Sequence, residues 1–202
     1  MNHIRISLII VVHDQAEVLS QNLPQFLSIA KETEAEVIVV DDMSTDTTSD
    51  VLKQLRGEYD NLYTTFLPQS VIINPSRMRL ALTVGVKAAR GEYIAIADIN
   101  RPPISASWLA DLANGEATAV FCNRKRTEVK HLIATDVADL KSMVLKAERK
   151  GGRGHRGRWQ KFRRGLYEAV SVRREHAFDL VKLFDQKVGR WELFGLRLKQ
   201  WI

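Results

Sequence analysis

The chain of 202 residues has one cysteine, five prolines and no apolar run near the ~20 residues that span a bilayer. The lone Cys122 has no partner within the chain, which excludes an internal disulfide and a cysteine-rich zinc site. None of the front strand runs is followed by GxGxxG, and no segment reads GxxxxGKS/T, so neither a dinucleotide fingerprint nor a P-loop is present there. HExxH and GxSxG are also missing, which removes the zinc-helix proteases and the nucleophile-elbow hydrolases. There is no internal repeat and no linker long enough to split the chain. Arg5 precedes the apolar run ISLIIVV, which passes straight into HDQAE without a small-residue cleavage site. That reads as a first strand and not as a signal peptide, so a reducing, cytoplasmic setting is expected.

What is present is an ordinary globular composition, 45% apolar and 27% charged, with an uneven charge distribution. Residues 1–120 hold 9 Lys/Arg against 15 Asp/Glu, a net −6, whereas residues 121–202 hold 21 against 9, a net +12. A basic block of this size suits a phosphate-bearing partner: a nucleotide, a nucleic acid or an anionic membrane surface.

The front of the chain alternates between strand and helix patterns. ISLIIVV (6–12) reads as a strand buried on both faces, EVIVV (36–40) and YIAIA (93–97) as buried strands, ATAVFCN (117–123) as a further strand and NLYTTF (61–66) as a weaker one. Helical spacing follows in Val18 to Ala30, with Pro24 marking a kink or a late start, then in 51–55, 77–89 and 107–113. Ser44 and Thr45 read as helix caps, and Gly91 as the glycine that closes the third helix. Strand–helix alternation predicts an α/β fold with a mostly parallel sheet covered on both faces. Such sheets bind ligands beyond the carboxyl ends of their strands. Three of those ends are polar: His13-Asp14, Asp41-Asp42 and Asp98-Ile99-Asn100.

The back half begins with an amphipathic helix over 136–149, then RKGGRGHRGRWQKFRRG (149–165), with eight Lys/Arg and five glycines. This segment is expected to be a mobile or ligand-ordered loop. A strand over 169–174 and a helix over 176–184 follow. The end (190–202) mixes Trp191, Phe194 and Trp201 with basic residues, a pattern that packs on a core or lies in a membrane interface.

Four front segments resemble, in order, the motifs of the family 2 glycosyltransferases. SLIIVVHDQAEVL (7–19) is similar to the family's first strand and turn, and EVIVVDDMSTDTT (36–48) to its E-I-I-V-V-D-D-G-S-T-D-G-T. ALTVGVKAARGEYIAIAD (81–98) and the Trp108-Leu109 element complete the set, and VSVRREHAFDLVKLFDQ and LFGLRL match more weakly. The resemblance implies a single GT-A nucleotide-sugar transferase domain. Residues 1–123 would form its nucleotide-sugar-binding half and 124–202 a basic acceptor-side half.

The resemblance places Val11, Val12, His13 and Glu17 along the nucleotide and Asp42 on the base edge, where a carboxylate accepts from a base N–H. Asp41 is assigned a structural part. Arg77 and Arg79 either reach the donor diphosphate or are solvated helix-start charges. The family's metal-binding Asp-x-Asp reads Asp98-Ile99-Asn100 here, with Arg101 next to it. Either Asp98 and Asn100 hold Mg²⁺ or Mn²⁺ weakly, or Arg101 and the basic loop replace much of its charge. The family's catalytic Glu-Asp falls on Arg190 and Trp191, so Glu192 is the nearest base, with Asp185 a lesser candidate. Trp159 and Phe162 in the basic loop can hold a sugar face or a lipid headgroup boundary. The implied activity is inverting transfer from a nucleotide-sugar, a UDP-sugar, to a saccharide or lipid-linked acceptor in cell-envelope polysaccharide assembly. Peripheral contact with an anionic membrane fits it, and nucleic acid is not the expected partner. The rival expectation is a catalytically degenerate relative that binds nucleotide as a partner or scaffold.

Overall fold

The computed structural model describes residues 4–67, 77–122, 129–142 and 167–183. Among these residues, seven strands form one sheet: β1 (Ile6–Val12), β2 (Ala35–Asp41), β3 (Leu62–Phe66), β4 (Tyr93–Ala97), β5 (Ala117–Cys122), β6 (Val129–Ala134) and β7 (Tyr167–Arg173). Their order is β3-β2-β1-β4-β7-β5-β6. The first four strands pair in parallel, as the buried β-branched runs require, and β7, β5 and β6 continue the sheet antiparallel. The predicted mostly parallel sheet flanked by helices is therefore found. The antiparallel extension and strand β6 were not legible in the sequence, because pairing direction is set by where the chain returns.

Helices α1 (Ala16–Glu32), α2 (Thr48–Glu58), α3 (Arg77–Ala88), α4 (Ala106–Ala110) and α5 (Ala177–Leu183) cover the two faces. Leu19, Leu23, Phe26, Leu27 and Ala30 form the buried stripe of α1, and they pack with α2, α4 and the Leu8, Ile10 and Val12 face of β1. The other face of β1, through Ile9, meets α3 and α5. Pro24 lies inside α1, and the helix starts eight residues before it, so the late start does not occur. Residues 137–142 are helical, within the predicted 136–149.

Gly91 has a different part from the one read in the sequence. Helix α3 ends at Ala88, and Gly91 has no left-handed φ. A Cβ here would lie 2.6 Å from the Ser7 nitrogen and 2.8 Å from the Ile6 carbonyl carbon. Glycine is needed because the chain passes against the backbone of β1. This contact closes a buried polar group. Ser7 Oγ donates to Glu36 Oε1 (2.6 Å) and accepts from the Gly91 N–H (2.8 Å). The Arg90 N–H donates to Glu36 Oε1 (2.8 Å), and its guanidinium donates to Oε2 through Nε (2.9 Å) and Nη2 (2.6 Å).

Candidate functional site

Because β2, β1 and β4 are adjacent and parallel, their carboxyl ends share one edge of the sheet. Asp41-Asp42, His13-Asp14 and Asp98-Ile99-Asn100 meet there, with the end of β1 in the middle. Neighbouring strands are ~4.8 Å apart, so the ends of β2 and β4 lie about 10 Å from each other, the scale of one nucleotide. No single stretch of sequence could build this rim. It exists because the crossover helices return the chain to the same edge.

Asp42 is fully buried, and its N–H donates to the Val12 carbonyl at 2.8 Å. Its carboxylate is paired with Arg77 from the first turn of α3: Nη2 reaches Oδ1, and Nε lies 3.3 Å from Oδ2. His13 Nδ1 is 2.7 Å from the Asp42 carbonyl oxygen. The oxygen can only accept, so Nδ1 carries the proton. His13 Nε2 lies 3.5 Å from Asp14. His13, Asp42 and Arg77 are thus one connected group. The Arg77–Asp42 pair was missed in the sequence, where 34 residues separate the two. Val11 is half-buried beside the α3 layer, while the Val12 side chain, at the end of β1, is fully buried toward α1.

The loops after β1 and β2 clasp each other. Asp14 Oδ1 accepts from the N–H groups of Thr45 (2.6 Å) and Asp46 (3.2 Å). In return, the Asp14 N–H donates to Ser44 Oγ (2.9 Å), Gln15 N–H to Thr48 Oγ1 (3.2 Å) and Ala16 N–H to Asp46 Oδ2 (3.0 Å). Asp41 Oδ1 accepts from the Ser44 N–H at 3.0 Å, the structural part expected of it. Ser44 and Thr45 are not helix caps: α2 begins at Thr48 behind an N-cap at Thr47, and both residues serve the clasp. Capping composition marked the loop correctly but could not say which backbone its side chains would meet.

The clasp gives the site a pH dependence. The Thr45 N–H holds the Asp14 carboxyl below its usual range, aided by Asp46 N–H and by His13. Asp46 is also lowered: desolvation opposes the shift, and hydrogen bonds from Thr48 and the Ala16 N–H overcome it. A depressed folded pKa means that stabilisation is present above the unfolded value, near 3.8, and is lost as pH falls through the folded one. Thermal melts between pH 5 and pH 2 are expected to fall more steeply for the wild type than for Asp14→Asn. Equal slopes would show that Asp14 does not couple to folding.

Two non-glycine residues at this edge have left-handed backbone, Asp14 (φ 49°) and Met43 (φ 58°). Asp tolerates that region through local hydrogen bonds, and Met does not. Met43 stands where the family motif has glycine. Met43→Gly is expected to raise stability by up to about 1 kcal/mol, read as the urea midpoint at unchanged slope. A lower midpoint would refute strain at this turn.

Asp98 Oδ1 accepts from the Asn100 backbone N–H (3.0 Å) and from its side-chain Nδ2 (2.8 Å), and Arg101 Nε is 3.6 Å from Oδ2. The loop is held on α1 by Asn22 Nδ2 to the Ile99 carbonyl and Gln25 Nε2 to the Pro103 carbonyl. Asn100 therefore turns its amide nitrogen, not its oxygen, toward Asp98. Asp98 is the one charged oxygen ligand offered by this motif. That suits a Mg²⁺-like ion that keeps waters and takes its remaining oxygens from a bound diphosphate, and it does not make a protein cage. A shallow cleft of about 580 Å³ opens nearby, lined by Asp14, Glu17, Asp46, Thr47, Val51 and Asn100. Glu17 belongs to this acidic cleft, and His13 joins it to the Asp42–Arg77 pair.

Glu192, Asp185 and the basic loop 149–165 with Trp159 and Phe162 lie outside the described residues. Among the described residues, no helix is long and apolar enough to cross a membrane.

Comparison with known proteins bears on the fold. Residues 7–99 match the model of Glycosyl transferase family 2, and the sequence resemblance is borne out over that span. No curated protein sequence matches significantly. The fold is similar to a mannosyltransferase from Pyrobaculum calidifontis solved with GDP-Man and Mn²⁺ (TM-score 0.56, 19% identity, 88% of this chain and 47% of that one). It is also similar to S. aureus TarS 1-349 (0.50, 16%, 95% and 54%). A third likeness is to the 4-diphosphocytidyl-2C-methyl-D-erythritol synthase of Anaerococcus prevotii (0.50, 15%, 95% and 81%). The chain spans about half the length of the first two. At these identities the neighbours establish the fold, GT-A, and not the substrates.

Proposed function

We propose, with the family 2 match over residues 7–99 as premise, that the chain moves a sugar from a nucleotide-sugar donor, a UDP-sugar, to a saccharide or lipid-linked acceptor. The observation that carries this reading is the shared edge, where Asp42, His13 and Asp98 flank the end of β1. The pyrophosphate of a donor is anionic, and Arg77 and Arg101 are the cations beside these carboxylates. In this reading Asp42, on leaving its Arg77 pair, and His13 face the nucleoside, and Val11, Val12 and Glu17 border it. Asp98 with Asn100 and Arg101 faces the diphosphate. A divalent cation, when bound, neutralises the leaving diphosphate and is held by Asp98 and the donor's own oxygens. Glu192 is the proposed base for inverting displacement. Residues 1–202 are read as one domain, cytoplasmic and peripheral at an anionic membrane face, working in cell-envelope polysaccharide assembly.

A second reading, a nucleotide-binding relative without transfer activity, is favoured by the Asp98 environment. Its carboxylate is already shared between Asn100 and Arg101. Thermal shifts with UDP, GDP and CDP, each with and without Mn²⁺, test both readings. Stabilisation by one nucleotide, lost in Asp42→Ala, is expected. No response to any nucleotide would remove both. UDP-sugar turnover that disappears in Glu192→Gln separates enzyme from binder.

A further inference from the structure

A second constellation lies at the far edge of the sheet. Among the described residues, Glu116, Glu175 and His176 bring one donor atom each within 4.8 Å of one another. Glu116 directly precedes β5, and Glu175 and His176 form the 3-10 turn after β7. The pairing β5–β7 brings the two segments together: Ala117 is in register with Val172, and the Arg173 N–H donates to the Glu116 carbonyl at 3.0 Å. This is the amino end of β4, since Arg173 pairs with Tyr93. Asp98 follows the carboxyl end of β4, five residues of strand away, or about 16 Å. The cluster is separate from the donor rim.

We propose that Glu116, Glu175 and His176 form a divalent transition-metal site on this edge, with water in the remaining positions. One imidazole and two carboxylates suit Zn²⁺, Co²⁺ or Mn²⁺ and not the all-oxygen preference of Ca²⁺ or Mg²⁺. Arg173 acts on both carboxylates. Arg173 Nε compensates Glu116 Oε1 at 2.7 Å, whereas the Arg174 guanidinium is turned away to the Ala89 carbonyl. Glu175 has His176 as its near neighbour, at 3.6 Å. Arg173 also fixes the Glu116 carboxylate, as an outer hydrogen-bond donor fixes a ligating carboxylate, and it is itself seated over the Tyr93 ring. The bound ion would pin the start of β5 to the turn after β7. All three side chains keep access to water, which makes the site open and reversible.

The test is a Zn²⁺ thermal-shift series and a Co²⁺ absorption titration on the full chain, without nucleotide. The wild type and Asp98→Asn are expected to show saturable binding and a raised melting temperature. His176→Ala and Glu175→Gln should weaken binding about tenfold or more and lose the shift. Glu175 is an exposed residue in a surface turn, so its variant is expected to fold. Binding that survives in both cluster variants, that disappears in Asp98→Asn, or that is absent from the wild type would overturn the site. Because no nucleotide is present, failure here leaves the donor-site reading untouched.

Discussion

Glu36→Ala is expected to cost about 3–4 kcal/mol of stability. Glu36 is 2% exposed at the start of β2 and accepts from Ser7 Oγ, the Arg90 N–H and the Arg90 guanidinium. The guanidinium is two-thirds exposed, so its ion pair contributes little of the loss, because water can replace the carboxylate there. The main cost is the Ser7 hydroxyl and the Arg90 N–H, which are left with poorer partners away from water. Each such donor costs about 1–3 kcal/mol. For a chain of this length, the melting temperature should fall by about 6–16 °C. Gly91→Ala should match it, since its Cβ would meet backbone atoms of β1 that cannot turn aside. Urea unfolding of both variants checks this, and losses below about 1 kcal/mol in both would show that the network is incidental.

Asp42→Ala is expected to weaken nucleotide binding about 100-fold, or about 2.7 kcal/mol: the carboxylate is shut from solvent by its Arg77 pair, and it accepts from the base once that pair opens. The same pair predicts an asymmetry. In Asp42→Ala the stranded group is Arg77, a third exposed, which water can solvate. In Arg77→Ala the stranded group is a carboxylate with no exposed surface, and the cost to folding rises to about 3–5 kcal/mol. Calorimetric titration with UDP and urea melts on the two variants separate these roles. Wild-type affinity in Asp42→Ala would detach Asp42 from the donor, and equal stabilities in the two variants would mean that the pair opens freely in solution.

Much of this site was legible before any coordinates. The runs at 6–12 and 93–97 match β1 and β4 residue for residue, because a strand buried on both faces has no polar alternation to blur its ends. The polar residues just past those runs mark the rim, since a parallel sheet exposes its strand ends to ligands. Other assignments failed for one shared reason. Ser44, Thr45 and Gly91 were read from their neighbours in sequence, yet their partners are Asp14 and Ser7, 30 or more residues away. Composition reports that a loop is polar or that glycine is required. It does not report which distant backbone imposes the requirement. Strand β6 was overlooked because VKHLIA lacks the uninterrupted β-branched run that identified the buried strands.

The sequence alone determined the α/β class, the strand ends that carry acidic groups and the departure of Asp98-Ile99-Asn100 from a two-carboxylate motif. These follow from local chemistry: periodicity, burial preference and charge count. Tertiary structure decided the rest. Strand order set Asp42 and Asp98 on either side of β1, the start of α3 delivered Arg77 to Asp42, and the antiparallel return of β7 carried Glu175 and His176 to Glu116. Each of these is a contact between residues far apart along the chain. Their partners are chosen by how the layers pack, and no window of neighbouring residues contains that information.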